Sequence, residues 1–186
     1  LDAALSERLS LLARPRAPLR RVALLLEVSG HAALLLPLLA VLFALQAGGP
    51  EARLLCLRLF AGQLFDLLLI GCLKAVFRRG RPGRNHAADM TATVAVDHYS
   101  FPSGHASKCG MMLCLLHFSA CLRLPALLWL LAVPASRVLL GRHFPLDVAC
   151  GFAIGCLEAL LMWPYLPGLE LSARLIGLLA AAIGRS

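Results

Sequence analysis

Residues 101–148 read FPSGHASKCGMMLCLLHFSACLRLPALLWLLAVPASRVLLGRHFPLDV, and this stretch decides the fold. It holds two apolar runs of helical length, 103–122 and about 125–140, separated only by residues 123–125. A link that short crosses nothing, so the two helices must lie antiparallel as neighbours. Their outer ends carry polar residues: Ser103, Gly104 and His105 at the start of the first run, Arg137, His143 and Asp147 at and beyond the end of the second. Going out and coming back returns those two sets to one side of the molecule.

Working outward, apolar runs at about 22–45 and 53–77 precede this hairpin, and runs at 145–166 and 169–183 follow it. Of 186 residues 60% are hydrophobic and 15% charged, and the mean hydropathy is +0.80. Typical globular chains are roughly 25% charged. A soluble core of this length buries only about 70% of its unfolded surface, so the leucine and alanine excess would lie exposed in water. A soluble monomer is excluded, as is disorder, which needs low hydrophobicity. At about 20 residues per crossing the chain holds five or six helices and little else. The fold class expected is all-α, a polytopic transmembrane helix bundle in one domain, 1–186. Its parts are an interfacial helix within 1–20, two membrane helices in 22–77, a polar loop at 78–102 and four membrane helices in 103–184. Leu1, Leu5, Leu9 and Leu12 share a face ahead of Pro15 and Pro18, the pattern of a helix lying on the membrane surface.

The net charge of +8 is gathered in two clusters, Arg14, Arg16, Arg20 and Arg21, and Lys74, Arg78, Arg79, Arg81 and Arg84. Such clusters at helix ends point to anionic headgroups or an anion site. A nucleic-acid partner is not expected, because aromatics are only 6% and no soluble groove accompanies the charge. Seven cysteines without a C-x-x-C pair read as small buried hydrophobes. No basic start followed by an apolar run marks a signal peptide, and the absence of an initial Met reads as a fragment of a longer chain.

By this topology Lys74, Arg81, His105, Arg137, His143 and Asp147 converge at one bilayer face. Each ionisable residue in a membrane helix costs about 2.5 to 3.5 kcal/mol, so its presence signals function. Three cations offset only by Asp147 call for an anion. A tetrahedral phosphate fits, with the arginines as forks and Lys74 as a point charge. Ser103 and Gly104 open a helix, so free N–H groups and the positive end of its dipole add to the pocket. Asp147, one turn from His143, is expected to accept from one ring nitrogen and leave the other free to attack phosphorus. His105, arriving on another helix, is expected opposite it as general acid. This describes in-line displacement through a phosphohistidine that water then hydrolyses. No metal or other cofactor is expected, since one carboxylate among cations would repel a metal ion.

Lys74, six residues on Arg81-Pro82, then Pro102-Ser103-Gly104-His105, then Ser136-Arg137 with His143 and Asp147 following, resembles the three-part signature of the type 2 phosphatidic acid phosphatase (PAP2) superfamily, which includes vanadium haloperoxidases. The resemblance implies a helical fold of that type. It also implies His143 as nucleophile, Asp147 as its orienting partner, His105 as acid, and Lys74, Arg81, Ser103, Gly104 and Arg137 as phosphate ligands. The long 83–101 linker, the run DHYSF at 97–101 and Gly141-Arg142-His143 are most similar to the presqualene or polyisoprenoid diphosphate phosphatase branch. The function expected is a metal-independent phosphohydrolase for lipid phosphates, such as farnesyl or presqualene diphosphate, with the bilayer holding the lipid tail. Phosphatidic acid or a sphingolipid phosphate is the alternative substrate, and a catalytically silent lipid-binding scaffold the alternative class. An endoplasmic reticulum or nuclear-envelope location is expected. Most basic residues fall on the site side, with Arg53, Arg123 and Arg174 on the other, which makes the site cytosolic by the positive-inside rule.

Other polar residues have plainer readings. Glu27 with His31, and Arg58 with Asp66, are expected as structural pairs away from the site. His117 is expected packed among helices, His86 and His98 solvated, and Glu158 has no assigned partner. Arg78, Arg79 and Arg84 hold headgroups or grip a second phosphate. Gly151 and Gly155 form a G-x-x-x-G that permits close packing within the chain.

Overall fold

The computed structural model describes residues 2–13, 17–45, 48–83, 98–182 and 184. Among them the regular structure is helical: α1 (Asp2–Ser10) with a 3-10 turn, α2 (Pro18–Ser29), α3 (Ala32–Ala44), α4 (Gly49–Phe77), α5 (Gly104–Phe118), α6 (Leu124–Leu139), α7 (Pro145–Met162) and α8 (Leu169–Ala182). Proline sits in the first turn of α2, α4, α6 and α7, where the missing N–H has no intrahelical partner to lose. The apolar side chains point outward to lipid: Leu25, Leu68, Val76, Leu124 and Leu161 are each at least 65% exposed. Of the described helices, α4 and α7 are long and apolar enough to cross a bilayer alone; α2 and α3 reach that length only together.

The expected single helix over 22–45 is corrected, because α2 and α3 are bent by 50° at Gly30 and His31. His31 leaves the helical region and caps α3, its Nδ1 accepting from the Ala33 N–H at 3.2 Å. A side chain at position 30 would run into Val133 and the His105 ring. The break frees two carbonyls that a continuous helix would use internally. Glu27 O lies 3.1 Å from His105 Nε2, and Gly30 O accepts from Lys108 Nζ at 3.3 Å.

The bundle is built around α5, whose residues 106–112 are all buried, and the closest pair is α5 with α7. A Cβ on Gly110 would strike the Phe152 backbone, one on Gly151 the Ser103 backbone, and one on Gly155 the Ser107 carbonyl. Glycine therefore sets the helix separation, within the chain as the G-x-x-x-G suggests. On α1 the small residues Ser6 and Ser10 face the bundle, while Leu5 and, beyond the helix, Leu12 are exposed.

Three further expectations are corrected here. Arg58 does not meet Asp66; its Nε donates to Pro167 O at 2.9 Å and its guanidinium lies 4.6 Å from the Trp163 ring centre. His117 is exposed rather than packed. Cys72 and Cys121 are exposed, whereas Cys109 is buried; all seven thiols are free. Arg14, Arg16, Arg84, His86 and Asp97 lie outside the described residues.

Candidate active site

Lys74 occupies the last turn of α4, and the chain reverses at once through Arg78, whose φ of 47° is left-handed. Residues 79–81 then run back across the bundle end. There Ser100 fastens them, its N–H donating to Arg79 O at 2.8 Å and its Oγ–H to Gly80 O at 2.8 Å. Beyond a cis Phe101-Pro102 bond, Ser103 caps the start of α5 and its N–H donates to Asp147 O at 3.1 Å. The Ser103 Oγ is buried and meets no hydrogen-bond partner among the described residues. Gly104 follows, with Ile70 at van der Waals distance from where a Cβ would stand. The turn after α6 is held by Arg142 and His143 N–H groups donating to Arg137 O at 3.0 and 3.2 Å. Through these local bonds, elements distant in sequence meet at one end of the bundle.

His143 is 2% exposed. Lys74, Arg81 and Arg137 lie close enough for their charges to act on its ring. Burial lowers its pKa to about 4, Asp147 opposing and the three cations reinforcing the fall. Its Nδ1 lies 2.6 Å from Ser100 O, an acceptor only, so Nδ1 carries the proton and Nε2 is an unprotonated lone pair. This corrects the expected direct bond from Asp147, whose Oδ2 stands 3.9 Å from Nδ1. That oxygen instead accepts from the Phe144 N–H at 2.9 Å and Oδ1 from Arg79 at 2.5 Å. Arg79 is thereby an internal ligand rather than a headgroup anchor. Helix-start geometry explains it, because a carboxylate at the third residue of α7 reaches back to its cap.

Glu27 is the second correction. It belongs to the site, its Oε1 lying 2.5 Å from Arg137 Nη1, with Arg142 Nε at 3.4 Å and Arg142 Nη2 3.4 Å from Oε2. Two carboxylates, not one, offset the cations. Arg81 Nη1 donates to Arg142 O at 3.4 Å. His105, half-buried, turns Nε2 to Glu27 O and packs edge-on to His31, ring centres 5.8 Å apart. A carbonyl only accepts, so His105 bears its proton on Nε2, and its Nδ1 is an unprotonated lone pair. Ser100 and Arg142 escaped the sequence reading: one acts through its backbone and the other sits beside a motif position.

Deeper in the bundle lies a second polar cluster. Ser107 Oγ–H donates to Asp66 Oδ1 at 2.5 Å, Lys108 bears on the same carboxylate, and Glu158, earlier without a partner, faces it.

A family model described as the PAP2 superfamily matches residues 51–170. A "Probable lipid phosphate phosphatase beta" of Arabidopsis thaliana is 35% identical over 86% of this chain and 86% of its own length. A "Decaprenylphosphoryl-5-phosphoribose phosphatase" of Mycobacterium tuberculosis is 37% identical over 45% of each chain. Among solved structures, the transmembrane PAP2-type phosphatidylglycerolphosphate phosphatase of Bacillus subtilis superposes with TM-score 0.68 at 25% identity, over 88% of this chain and 83% of that one. Aquifex aeolicus LpxE does so with TM-score 0.60 at 25% identity, over 86% and 94%.

Proposed function

This chain belongs to the PAP2 superfamily, and from that premise we propose that it is a membrane phosphohydrolase for polyisoprenoid diphosphates and monophosphates, working through a phosphohistidine. The observation that carries the reading is the unprotonated Nε2 of His143, held by Ser100 O on its far side and ringed by Lys74, Arg81 and Arg137. Such a nitrogen is a nucleophile at neutral pH, and the cations bind the tetrahedral group in reach of it. Ser103 Oγ and the N–H groups opening α5 supply neutral donors to the phosphoryl oxygens.

In the first step Nε2 of His143 bonds to phosphorus and the phosphorus–oxygen bond to the lipid, or to its remaining phosphate, breaks. His105 takes a proton onto Nδ1 from the bound phosphate monoanion and passes it to the departing oxygen. In the second step water attacks the phosphohistidine, its proton passing through His105 Nδ1 to the inorganic phosphate that is released, which returns both imidazoles to their starting neutral state. Asp147 stabilises the imidazolium character that His143 acquires when phosphorylated. Lys74, Arg81, Arg137, Ser103 and Gly104 hold the phosphate throughout.

A hydrocarbon tail has a place to lie. A groove of about 600 Å³ runs between α4 and α7, lined by Phe65, Leu69, Leu73, Ile154, Leu157 and Leu161 among others, and Leu73 adjoins Lys74. The mycobacterial relative's name, with its decaprenyl group, supports a polyprenyl tail. The site is assigned to the cytosolic face of the endoplasmic reticulum or nuclear envelope on the excess of basic residues at that end. The test is phosphate release from farnesyl diphosphate in detergent with EDTA present, beside presqualene diphosphate, phosphatidic acid and sphingosine phosphate. Release from the isoprenoid substrates that is abolished in His143→Ala is expected. No release from any of the four, or equal release by the variant, overturns the reading.

A further inference from the structure

We propose that Arg79 is a positioning residue for His143, acting on it through Asp147 and through Ser100, with Asp2 of α1 holding the guanidinium in place. The inference rests on the phosphohydrolase reading for its kinetic consequence, and on geometry alone for its physical one. Arg79 is not one of the signature positions, which on this stretch are Lys74, Arg81 and Pro82.

Two separate routes lead from Arg79 to the protonated face of the His143 ring. Through its side chain, Nη1 donates to Asp147 Oδ1 at 2.5 Å. That bond fixes the rotation of the carboxylate, so that Oδ2 meets the Phe144 N–H at 2.9 Å and stands 3.9 Å from His143 Nδ1. Through its backbone, the Arg79 carbonyl accepts from Ser100 N–H at 2.8 Å and from Ser100 Oγ–H at 3.3 Å. The Ser100 carbonyl in turn accepts the Nδ1 proton of His143 at 2.6 Å. Both groups that address Nδ1, the bonded carbonyl and the more distant carboxylate, are therefore tied to one residue.

The guanidinium is itself fixed on three sides. Nη2 donates to Asp2 Oδ2 at 2.8 Å, Nη1 to Asp147, and the planar group lies 4.2 Å from the centre of the Phe144 ring. Its two carboxylate partners raise its pKa above the usual arginine value, although burial alone would lower it. Asp2 completes the clamp by accepting, on Oδ1, the Leu146 N–H at 3.0 Å, one of the orphan donors that open α7. One carboxylate on the surface helix thus touches both the arginine and the helix that carries Asp147. A lysine, offering a point charge, reaches one carboxylate at a time.

Removing the side chain cuts the first route and leaves the second, because Ser100 binds the Arg79 backbone. Asp147 then loses its strong cation and exerts more negative field on His143. The charged and titratable groups around that ring are Lys74 on α4, Arg81 in the following segment, His105 on α5, Arg137 on α6 and Asp147 on α7. Of these only Asp147 changes its pairing in the variant, so the titration of His143 must move upward.

The experiment is a pH titration of 15N-histidine-labelled full chain in detergent micelles, assigned with His143→Ala, run alongside kcat and KM for farnesyl diphosphate. For Arg79→Ala we expect the His143 titration to rise by about one pH unit, kcat to fall about 10-fold or more, and KM to change less than about 3-fold. Arg79→Lys is expected to recover part of both effects, and Asp2→Asn to give a smaller shift of the same sign. A His143 titration unmoved in Arg79→Ala overturns the proposal, whatever happens to thermal stability. Should wild type release no phosphate, the phosphohydrolase reading fails, and the titration still decides the role of Arg79. If Arg79→Ala does not fold, Arg79→Lys and Asp2→Asn carry the comparison, and no shift in either overturns it.

Discussion

Glu27 of α2 and Arg137 of α6 form an ion pair of 2.5 Å in which neither side chain is more than 5% exposed. Arg142, fully buried, shares the same carboxylate. Breaking a buried pair by removing one partner costs about 3 to 5 kcal/mol, because the remaining charge has no water to turn to. Glu27→Gln leaves two buried guanidinium groups against a neutral amide. Its unfolding in detergent is expected about 3 kcal/mol easier than wild type. Orthovanadate, a tetrahedral oxyanion, should restore part of the lost melting temperature by supplying negative charge, and should compete with substrate in wild type. An unchanged melting temperature in the variant refutes the pairing.

The His143 imidazole, lowered by burial to about 4, sets a pH window. Its unfolded-state value is near 6.5, so between pH 6.5 and 4 the unfolded chain takes up a proton there that the folded chain refuses. Stability from this residue is complete above pH 6.5 and is lost as pH falls towards 4, by about 3 kcal/mol at about 1.4 kcal/mol per unit. Denaturant unfolding of wild type and His143→Gln at pH 7 and pH 4.5 isolates this contribution. Wild type should lose more stability than the variant over that interval. Equal losses show that the ring is not held neutral.

The convergence of Lys74, Arg81, His105, Arg137, His143 and Asp147 was legible because it depends on counting crossings and measuring links, both properties of the sequence. Ser100 was not legible, since it acts by a carbonyl that every residue possesses. Glu27 was misread for a different reason. The stretch over 22–45 reads as one helix only if Glu27-Val28-Ser29-Gly30-His31 is carried through it, and the serine, glycine and histidine there are the signal for the break that turns Glu27 towards Arg137. The Arg58 to Asp66 pairing failed on helix geometry: the two stand eight residues apart on α4, more than two turns, and face different neighbours.

Helix separation at the site is set by Gly155, where a Cβ would strike the Ser107 carbonyl, and by Gly151 against Ser103. Gly155→Ala must move α7 away from α5 and loosen the contact between Ser103 N–H and Asp147 O. Overpacking of this kind costs about 1 to 3 kcal/mol. Gly71, in the interior of α4, has nothing within 4 Å of a Cβ, and alanine there should stabilise by up to about 1 kcal/mol through helix propensity. Melting temperatures of the two variants are expected to move in opposite directions. A Gly155→Ala chain as stable and as active as wild type rules out glycine-set packing.

Asp66 and Glu158 present a contrast between two carboxylates in one buried cluster. Asp66 receives the Ser107 hydroxyl at 2.5 Å and the field of Lys108, so its removal strands a donor and a cation inside the bundle. Glu158 is 3% exposed, and among the described residues no N–H or hydroxyl donor meets either of its oxygens. Two facing buried carboxylates cannot both keep their charge and must share a proton, and an amide at position 158 supplies a hydrogen in its place. Glu158→Gln is therefore expected to keep wild-type stability within about 1 kcal/mol, whereas Asp66→Ala should lose about 3 kcal/mol or more. Chemical denaturation of the two variants in the same detergent decides the matter. A Glu158→Gln chain that is as unstable as Asp66→Ala shows that the glutamate charge itself is needed, and that Lys108 alone does not account for the balance.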